Sequence, residues 1–245
     1  DIPESAWEEV AEYCDNDVLA TEAVWNCEQI RADFLARKAL ADLVDGTVND
    51  TTNSLTTRLL FDKNREPQSE FEYRNLAEPV TELKPAMEKF LRKHFPKMMD
   101  YWEKRGSKLP FFKGYKYENG KSTYKGKEVG EGGYVESKPG MYKRTFTFDV
   151  ASMHPHSVMA EYLFGIFTEV FYELVQARVH IKHKDYEAAG KLFGGKLAKY
   201  CNDKSQAKAL AGALKIAINS VYGLTAAKFK NPFRDTRNKD NIVAK

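Results

Sequence analysis

Three short stretches of this 245-residue chain bring together residue types able to work on a bound phosphate. The first is Asp149-Val150-Ala151-Ser152-Met153-His154-Pro155-His156-Ser157. A carboxylate at a strand end, followed by a turn of exposed amides entering a helix, can hold a divalent cation and offer N–H groups to a triphosphate. The second runs from Lys215 to Gly223. On a helix Lys215, Asn219 and Tyr222 fall along one side at i, i+4 and i+7, with Leu214, Ile216 and Ile218 facing elsewhere. An ammonium, an amide and an aromatic ring then stand in one line. The third is the pair Arg178 and Lys182, one helical turn apart. Two cations so placed repel slightly, and a shared anionic ligand supplies a reason for them. Each stretch also has a plainer reading. The Asp can be a cap, the helix can simply end at Gly223 as its C-cap, and the basic pair can be a solvated face.

The elements that must position these residues follow from periodicity. Arg144 to Val150 alternates Phe146 and Phe148 with Thr145, Thr147 and Asp149, which predicts a half-buried strand with Asp149 at its end. A helix is expected from about Pro155 to Leu163, then amphipathic helices over 168–183 and 205–221 with a shorter Lys-rich helical segment between them. Nearer the start, Ser5 and Glu8 have capping-box spacing, and Val10, Tyr13 and Cys14 continue the stripe. A second helical run covers Val18 to Leu43, with Leu19, Ala23, Val24, Cys27, Ile30, Phe34 and Leu35 on one side, and stops at Asp45-Gly46. Residues 51–61 and 83–105 read as helices, the latter kinked near Pro96. From Leu109 to Tyr142 aromatic, Lys and Gly residues alternate at short intervals, with turn signals at Glu118-Asn119-Gly120 and Gly130-Glu131-Gly132-Gly133, so short strands are expected. The fold class is therefore α+β and mainly helical. No internal repeat or low-complexity tract is present.

A composition 42% hydrophobic and 30% charged is that of a soluble globular protein. No apolar run approaches the roughly 20 residues of a membrane span. The opening residues Ile2-Pro3-Glu4-Ser5 have neither the basic flank nor the apolar core of a signal peptide, and the three scattered cysteines fit a reducing compartment. A cytoplasmic location, with no membrane partner, is the expectation. The net charge of +3 is unevenly spread: residues 178–245 hold 15 basic against 5 acidic side chains, whereas residues 1–107 hold 14 against 22. A basic C-terminal third is what a surface meeting phosphates needs, and equally what a solvated helical face looks like.

Taken in order along the chain, these stretches resemble family B DNA polymerases of the phage type. Asp149 to Ser157 is similar to that family's motif A, Arg178-x-x-x-Lys182 to its fingers-helix phosphate clamp, and Lys215 to Gly223 matches motif B at every defined position. Glu131-Gly132-Gly133-Tyr134-Val135 resembles the Gly-Gly element between exonuclease and polymerase domains. Tyr13-Cys14-Asp15-Asn16-Asp17 has the Tyr-x-x-x-Asp form of the third exonuclease motif.

The resemblance implies a primer 3′-hydroxyl attacking the α-phosphorus of a deoxynucleotide, directed by primer–template DNA. Asp149, with the carbonyl of Val150, would ligate two Mg²⁺ ions. Arg178, Lys182, Lys215 and Asn219 would hold the triphosphate, and the amides near Ser152 and Met153 would cap it. His154 would lie over the sugar, Tyr222 and Gly223 would border the nascent base pair, and Gly132, Gly133 and Tyr134 would contact DNA. Tyr13 and Asp17 would be an exonuclease remnant. The implied division is an exonuclease remnant over 1–46, a connecting region over 47–143, the start of the palm over 144–166, helical-hairpin fingers over 167–230, and a return toward the palm over 231–245.

The sequence departs from the family at two points in motif A, where His154 replaces an aromatic and His156 a serine. Motif C, with the second metal-binding carboxylate, is not found; Arg234-Asp235-Thr236-Arg237 has Arg where Asp is required. The first two exonuclease motifs are also not found. The expectation is a chain inactive alone, which a second chain carrying motif C would complete in a bacterial host cell. The rival is a subunit that grips DNA or a partner without catalysis. A zinc site at His154-x-His156 or His180-x-x-His183 is disfavoured, because no cysteine lies near either pair.

Overall fold

Proline opens two helices of this chain, at Pro85 and Pro96, where the fixed φ of the ring suits a first helical turn. The structure is a computed structural model that describes residues 2–64, 66–72, 82–105, 114–118, 121–129, 134–227 and 229–234. Within them the helices are α1 (Trp7–Asn26), α2 (Glu28–Leu43), α3 (Thr52–Phe61), α4 (Pro85–His94), α5 (Pro96–Arg105), α6 (Met153–Ala160), α7 (Thr168–Lys182), α8 (Tyr186–Lys191), α9 (Ala198–Cys201) and α10 (Lys204–Ala226). Strands β1 (Tyr115–Glu118), β2 (Lys121–Tyr124) and β3 (Lys127–Glu128) form one antiparallel sheet in that order. The chain is thus mainly helical with a small sheet, as its patterning implies. It divides into two units. Unit 1 comprises Asp1–Thr51 with Ala177–Lys215, and unit 2 comprises Thr52–Gln176 with Ile216–Lys245.

In unit 1 the first two predicted helices are divided differently from expectation. α1 runs through residue 18 without a break, and the interruption comes at Cys27, whose backbone is extended (φ −65°, ψ 130°). No Gly or Pro marks that position, so local sequence carries no signal for it. The Ser5–Glu8 capping box is not formed either. A 3-10 turn over Glu4–Ala6 leads into α1, and no side chain caps either element. α1 buries none of its residues; Leu19 and Val24, expected on a packed stripe, are 61% and 55% exposed. The edge-on contact of Trp25 with Phe34, 5.1 Å between centroids, seats its end on α2. The core of the unit lies elsewhere, where Ala39, Leu40 and Leu43 of α2, Leu197, Cys201, and Ala207, Leu210 and Leu214 of α10 are all buried.

Unit 2 is built around phenylalanine. The Phe61 ring lies within aromatic contact of Phe71, Phe164, Phe167 and Phe233, at centroid distances of 5.8, 6.1, 5.1 and 4.9 Å. Phe164 and Phe171 add a second tier at 5.7 Å. Such rings bury large areas, and their edge-to-face geometry adds specificity. Gly165 is indispensable to this packing: its φ is +53°, and a Cβ would stand 1.8 Å from the carbonyl oxygen of Glu70. Phe95, between α4 and α5, is the kink expected near Pro96. His94 at the end of α4 reaches Glu169 of α7 at 2.9 Å and packs against the tilted ring of Tyr172, 3.8 Å between centroids. The β2–β3 turn uses Lys125 and Gly126, both at positive φ, as a two-residue hairpin of the favoured hand requires.

One expected element is absent. Residues 145–150 carry no strand, and every residue from 141 to 150 is exposed, with Phe146 at 82% and Phe148 at 93%. The alternation that predicts the strand is present, but a strand persists only where a neighbour completes its hydrogen-bond ladder, and among the described residues none pairs with this segment.

Candidate functional site

The candidate residues fall into both units. Asp149, Val150, Ser152, Met153, His154, Tyr134, Asn219, Tyr222 and Gly223 belong to unit 2; Arg178, Lys182, Lys215, Tyr13 and Asp17 belong to unit 1. Gly132 and Gly133 lie outside the described residues.

In unit 2, Asp149 lies in an exposed irregular run rather than at a strand end, and Val150 beside it is 66% exposed. The chain then turns through Ser152, whose left-handed backbone (φ 53°, ψ 44°) starts α6. Ser152 gives no side-chain cap to that helix. The ring Nδ1 of His156 instead lies 2.9 Å from the Ser152 carbonyl oxygen, and the Ser157 hydroxyl donates to the Met153 carbonyl at 3.0 Å. The N–H groups of Met153 and His154, in the first turn of α6, have no intrahelical acceptor, as at any helix start, and Pro155 has no N–H.

His154 is the residue that joins the two motifs. Its ring lies flat on that of Tyr222, 3.8 Å between centroids with the planes 19° apart. Its Nδ1 is buried and has no hydrogen-bond partner among the described residues. A buried polar atom left unpaired is costly, so this ring is held by stacking and packing, not by hydrogen bonds. The first and second stretches singled out by sequence therefore meet side chain to side chain in unit 2. Local periodicity could not foresee that contact, because it is long-range.

α10 displays the second stretch as the spacing predicts. Leu214, Ala217, Ile218 and Val221 are buried, whereas Lys215 and Asn219 are exposed and Tyr222 is half-buried. Ile216 is 55% exposed and so flanks the polar line. The helix continues past Gly223 to Ala226, which removes the reading of Gly223 as a C-cap. Lys204 and Lys208, on the same side of α10 by helical spacing, extend the line towards its start; motif spacing alone does not single them out, although the 3.6-residue period could have found them. On α7, Arg178 is half-buried and Lys182 exposed. Asp149, Arg178, Lys182, Lys215 and Asn219 each lack a hydrogen-bond or ion-pair partner among the described residues.

The oxygens of Asp149 and Val150 suit a hard divalent cation. They supply a single carboxylate, however, and no group of three or more His, Cys, Asp or Glu residues able to hold a metal ion occurs among the described residues. These residues by themselves therefore do not assemble a two-metal centre. Tyr13 and Asp17 are both exposed on α1. The most perturbed ionisable cluster in unit 1 lies elsewhere. Asp42 accepts from the Tyr200 hydroxyl, from Lys199 at 3.1 Å and from Lys38 at 3.2 Å, which holds its carboxyl below the usual range. Burial, with help from Asp42, pushes the Tyr200 phenol well above its ordinary value. Nothing in residue spacing pairs Asp42 with Tyr200, far apart in sequence.

No helix among the described residues is long and apolar enough to cross a membrane. Compared with known proteins, the chain matches no family model, no curated protein and no solved structure, so its function is read from its own residues and geometry.

Proposed function

We propose that this chain is part of a DNA-directed DNA polymerase of family B type, and that its own residues bind the incoming deoxynucleoside triphosphate with its Mg²⁺. The observation that carries this reading is the His154–Tyr222 stack, which unites in one place the two sequence stretches that a polymerase needs around its nucleotide. A flat pair of rings half-open to solvent can border a sugar and base. Within unit 2, the amides opening α6 and the unpartnered Asn219 of α10 offer donors that a triphosphate accepts.

In this reading Asn219 of unit 2 orients the phosphates and Asp149 is one carboxylate ligand of the metal-bound nucleotide, while the phosphate-binding roles of Arg178, Lys182 and Lys215 in unit 1 rest on the sequence resemblance alone. Metal ions, when bound, stabilise the attacking and leaving oxygens of the transfer. The palm and helical-hairpin fingers of such an enzyme, the contact of Gly132, Gly133 and Tyr134 with primer–template DNA, and the completion of the site by a carboxylate from a second chain all belong to the same proposal. A bacterial host cytoplasm is the setting it implies.

Fluorescence titration of the full chain with dTTP and Mg²⁺, with and without primer–template, tests it. Saturable binding that weakens about tenfold in Lys215→Ala is expected. Binding no weaker in that variant, or no binding at all, overturns it.

A second reading has its own support: Lys204 and Lys208 continue the unpaired basic line of α10 beyond the nucleotide residues. That is the footprint of a polyanion, not of a triphosphate, and fits a subunit that grips DNA without catalysis. DNA binding that falls steeply with salt in the absence of any dTTP binding would favour it.

A further inference from the structure

Unit 1 contains a cleft of about 240 Å³ between α2, α9 and α10, and none of its residues enters the proposed triphosphate site. Its apolar lining comes from Leu35 and Ala209, and the ring of Tyr200 lies under the Lys199 ammonium, 5.0 Å from the ring centroid. Its charged lining is Lys38 and Lys199, whose side chains are 52% and 61% exposed, both paired with Asp42 at 26%. Gln206, exposed on the first turns of α10, completes the lining.

The charges are arranged rather than scattered. Lys199 donates to Asp42 Oδ2 at 3.1 Å, Lys38 donates to both Asp42 oxygens at 3.3 and 3.2 Å, and the Tyr200 hydroxyl fixes the same carboxylate. Each ammonium has three N–H groups, so both retain donors for a further acceptor after binding Asp42. Two positive charges against one negative leave the rim with an excess of +1, already held in place by the carboxylate. Preorganisation of that kind removes part of the ordering cost of binding an anion. The size sets the scale of ligand: the cleft is smaller than the roughly 300–1,000 Å³ of a drug-sized pocket, so it takes part of one nucleotide and not a whole triphosphate.

We propose that this cleft is a second nucleotide site, which receives one unpaired nucleoside monophosphate unit, free or within a single strand, with its phosphate between Lys38 and Lys199 and its base against Leu35 and Ala209. The Gln206 amide carries adjacent donor and acceptor groups, the pairing that recognises the N6/N7 edge of adenine, so an adenine base is preferred. Asp42 is a positioning residue that acts through the two lysines.

The test uses the full chain and four probes, dAMP, dTMP, deoxyadenosine and inorganic phosphate, followed by ¹H–¹⁵N resonance shifts. The expected result is saturable dAMP binding with Kd on the order of 1 mM or tighter, and deoxyadenosine and phosphate each about tenfold weaker. Lys38→Glu with Lys199→Glu should abolish it, while Gln206→Ala should retain binding but equalise dAMP and dTMP. An excess of an unlabelled dA-containing single strand should displace dAMP if the site also serves polymers; a failure to displace limits the ligand to the free nucleotide. Phosphate binding as tightly as dAMP, dAMP binding lost in Lys215→Ala but intact in the double variant, or no binding at all, each overturns the proposal. Because Lys38, Lys199 and Gln206 are exposed and the cleft lining does not include Lys215, loss of dTTP binding in Lys215→Ala leaves the dAMP result to stand or fall alone.

Discussion

Phe164 and Phe148 are the same residue type in the same unit, yet one is 0% exposed and the other 93%. Phe164 sits among Phe61, Phe71, Phe171 and Phe233, each supplied by a different stretch of chain. Phe148 lies on an irregular segment with no ladder neighbour among the described residues, beside Asp149. The difference teaches that an apolar side chain is buried only where other elements arrive to cover it. It also places the candidate carboxylate Asp149 on exposed backbone outside any helix or strand, while the stack of His154 on Tyr222, a few residues on, rests on α6 and α10.

The contrast can be broken most easily at its buried end. Truncating Phe164→Ala should cost about 3–5 kcal/mol of stability in urea unfolding, since it removes a ring from a closed aromatic cluster. A cost near zero would mean the cluster is not packed as described.

Unit 1 sharpens the comparison from the polar side. Asp42→Asn should cost about 1–2 kcal/mol at neutral pH, because it takes the charge from three hydrogen-bond donors at a partly solvated site. The Asp42 carboxyl is held below its unfolded value, so its contribution is fully present above the unfolded pKa and is lost as pH falls through the lower folded one. Urea midpoints of parent and variant should therefore converge in strong acid; a constant gap between them would show that Asp42 is not the titrating group.

For the stacked rings, a double-mutant cycle on His154→Ala and Tyr222→Ala should show a coupling of about 0.5–1.5 kcal/mol, and strict additivity would mean the rings do not touch in solution. The smallest effect belongs to the exposed end. Phe146→Ala and Phe148→Ala should each change stability by less than about 0.5 kcal/mol. A loss comparable to that of Phe164→Ala would show that the segment is covered, and the comparison would fail.

Much of the helical framework was legible because its signals are local. Pro96 announced the break between α4 and α5, Asp45-Gly46 the end of α2, and the 3.6-residue period the polar face of α10. What escaped the sequence depends on distant partners. The alternation at Arg144–Val150 is a faithful strand pattern, but no residue within it says whether a neighbouring strand exists. The Cys27 break has no Gly or Pro to mark it, and the Ser5–Glu8 spacing was outcompeted by a 3-10 turn. The turn at Lys125-Gly126 was carried by a single glycine between two stronger-looking turn signals. Within the candidate site, residue types and helix faces could be read, whereas the contact of His154 with Tyr222 and the Asp42 cluster are products of tertiary packing.

The central claim is that the stacked rings of His154 and Tyr222, both in unit 2, border one bound nucleotide. The measurement that tests it most directly is the affinity for dTTP with Mg²⁺ of His154→Ala, Tyr222→Ala and the double variant. The account predicts losses of about tenfold in each single variant and a double loss that departs clearly from their product. Two independent losses that simply multiply, or wild-type binding in either single variant, would contradict it.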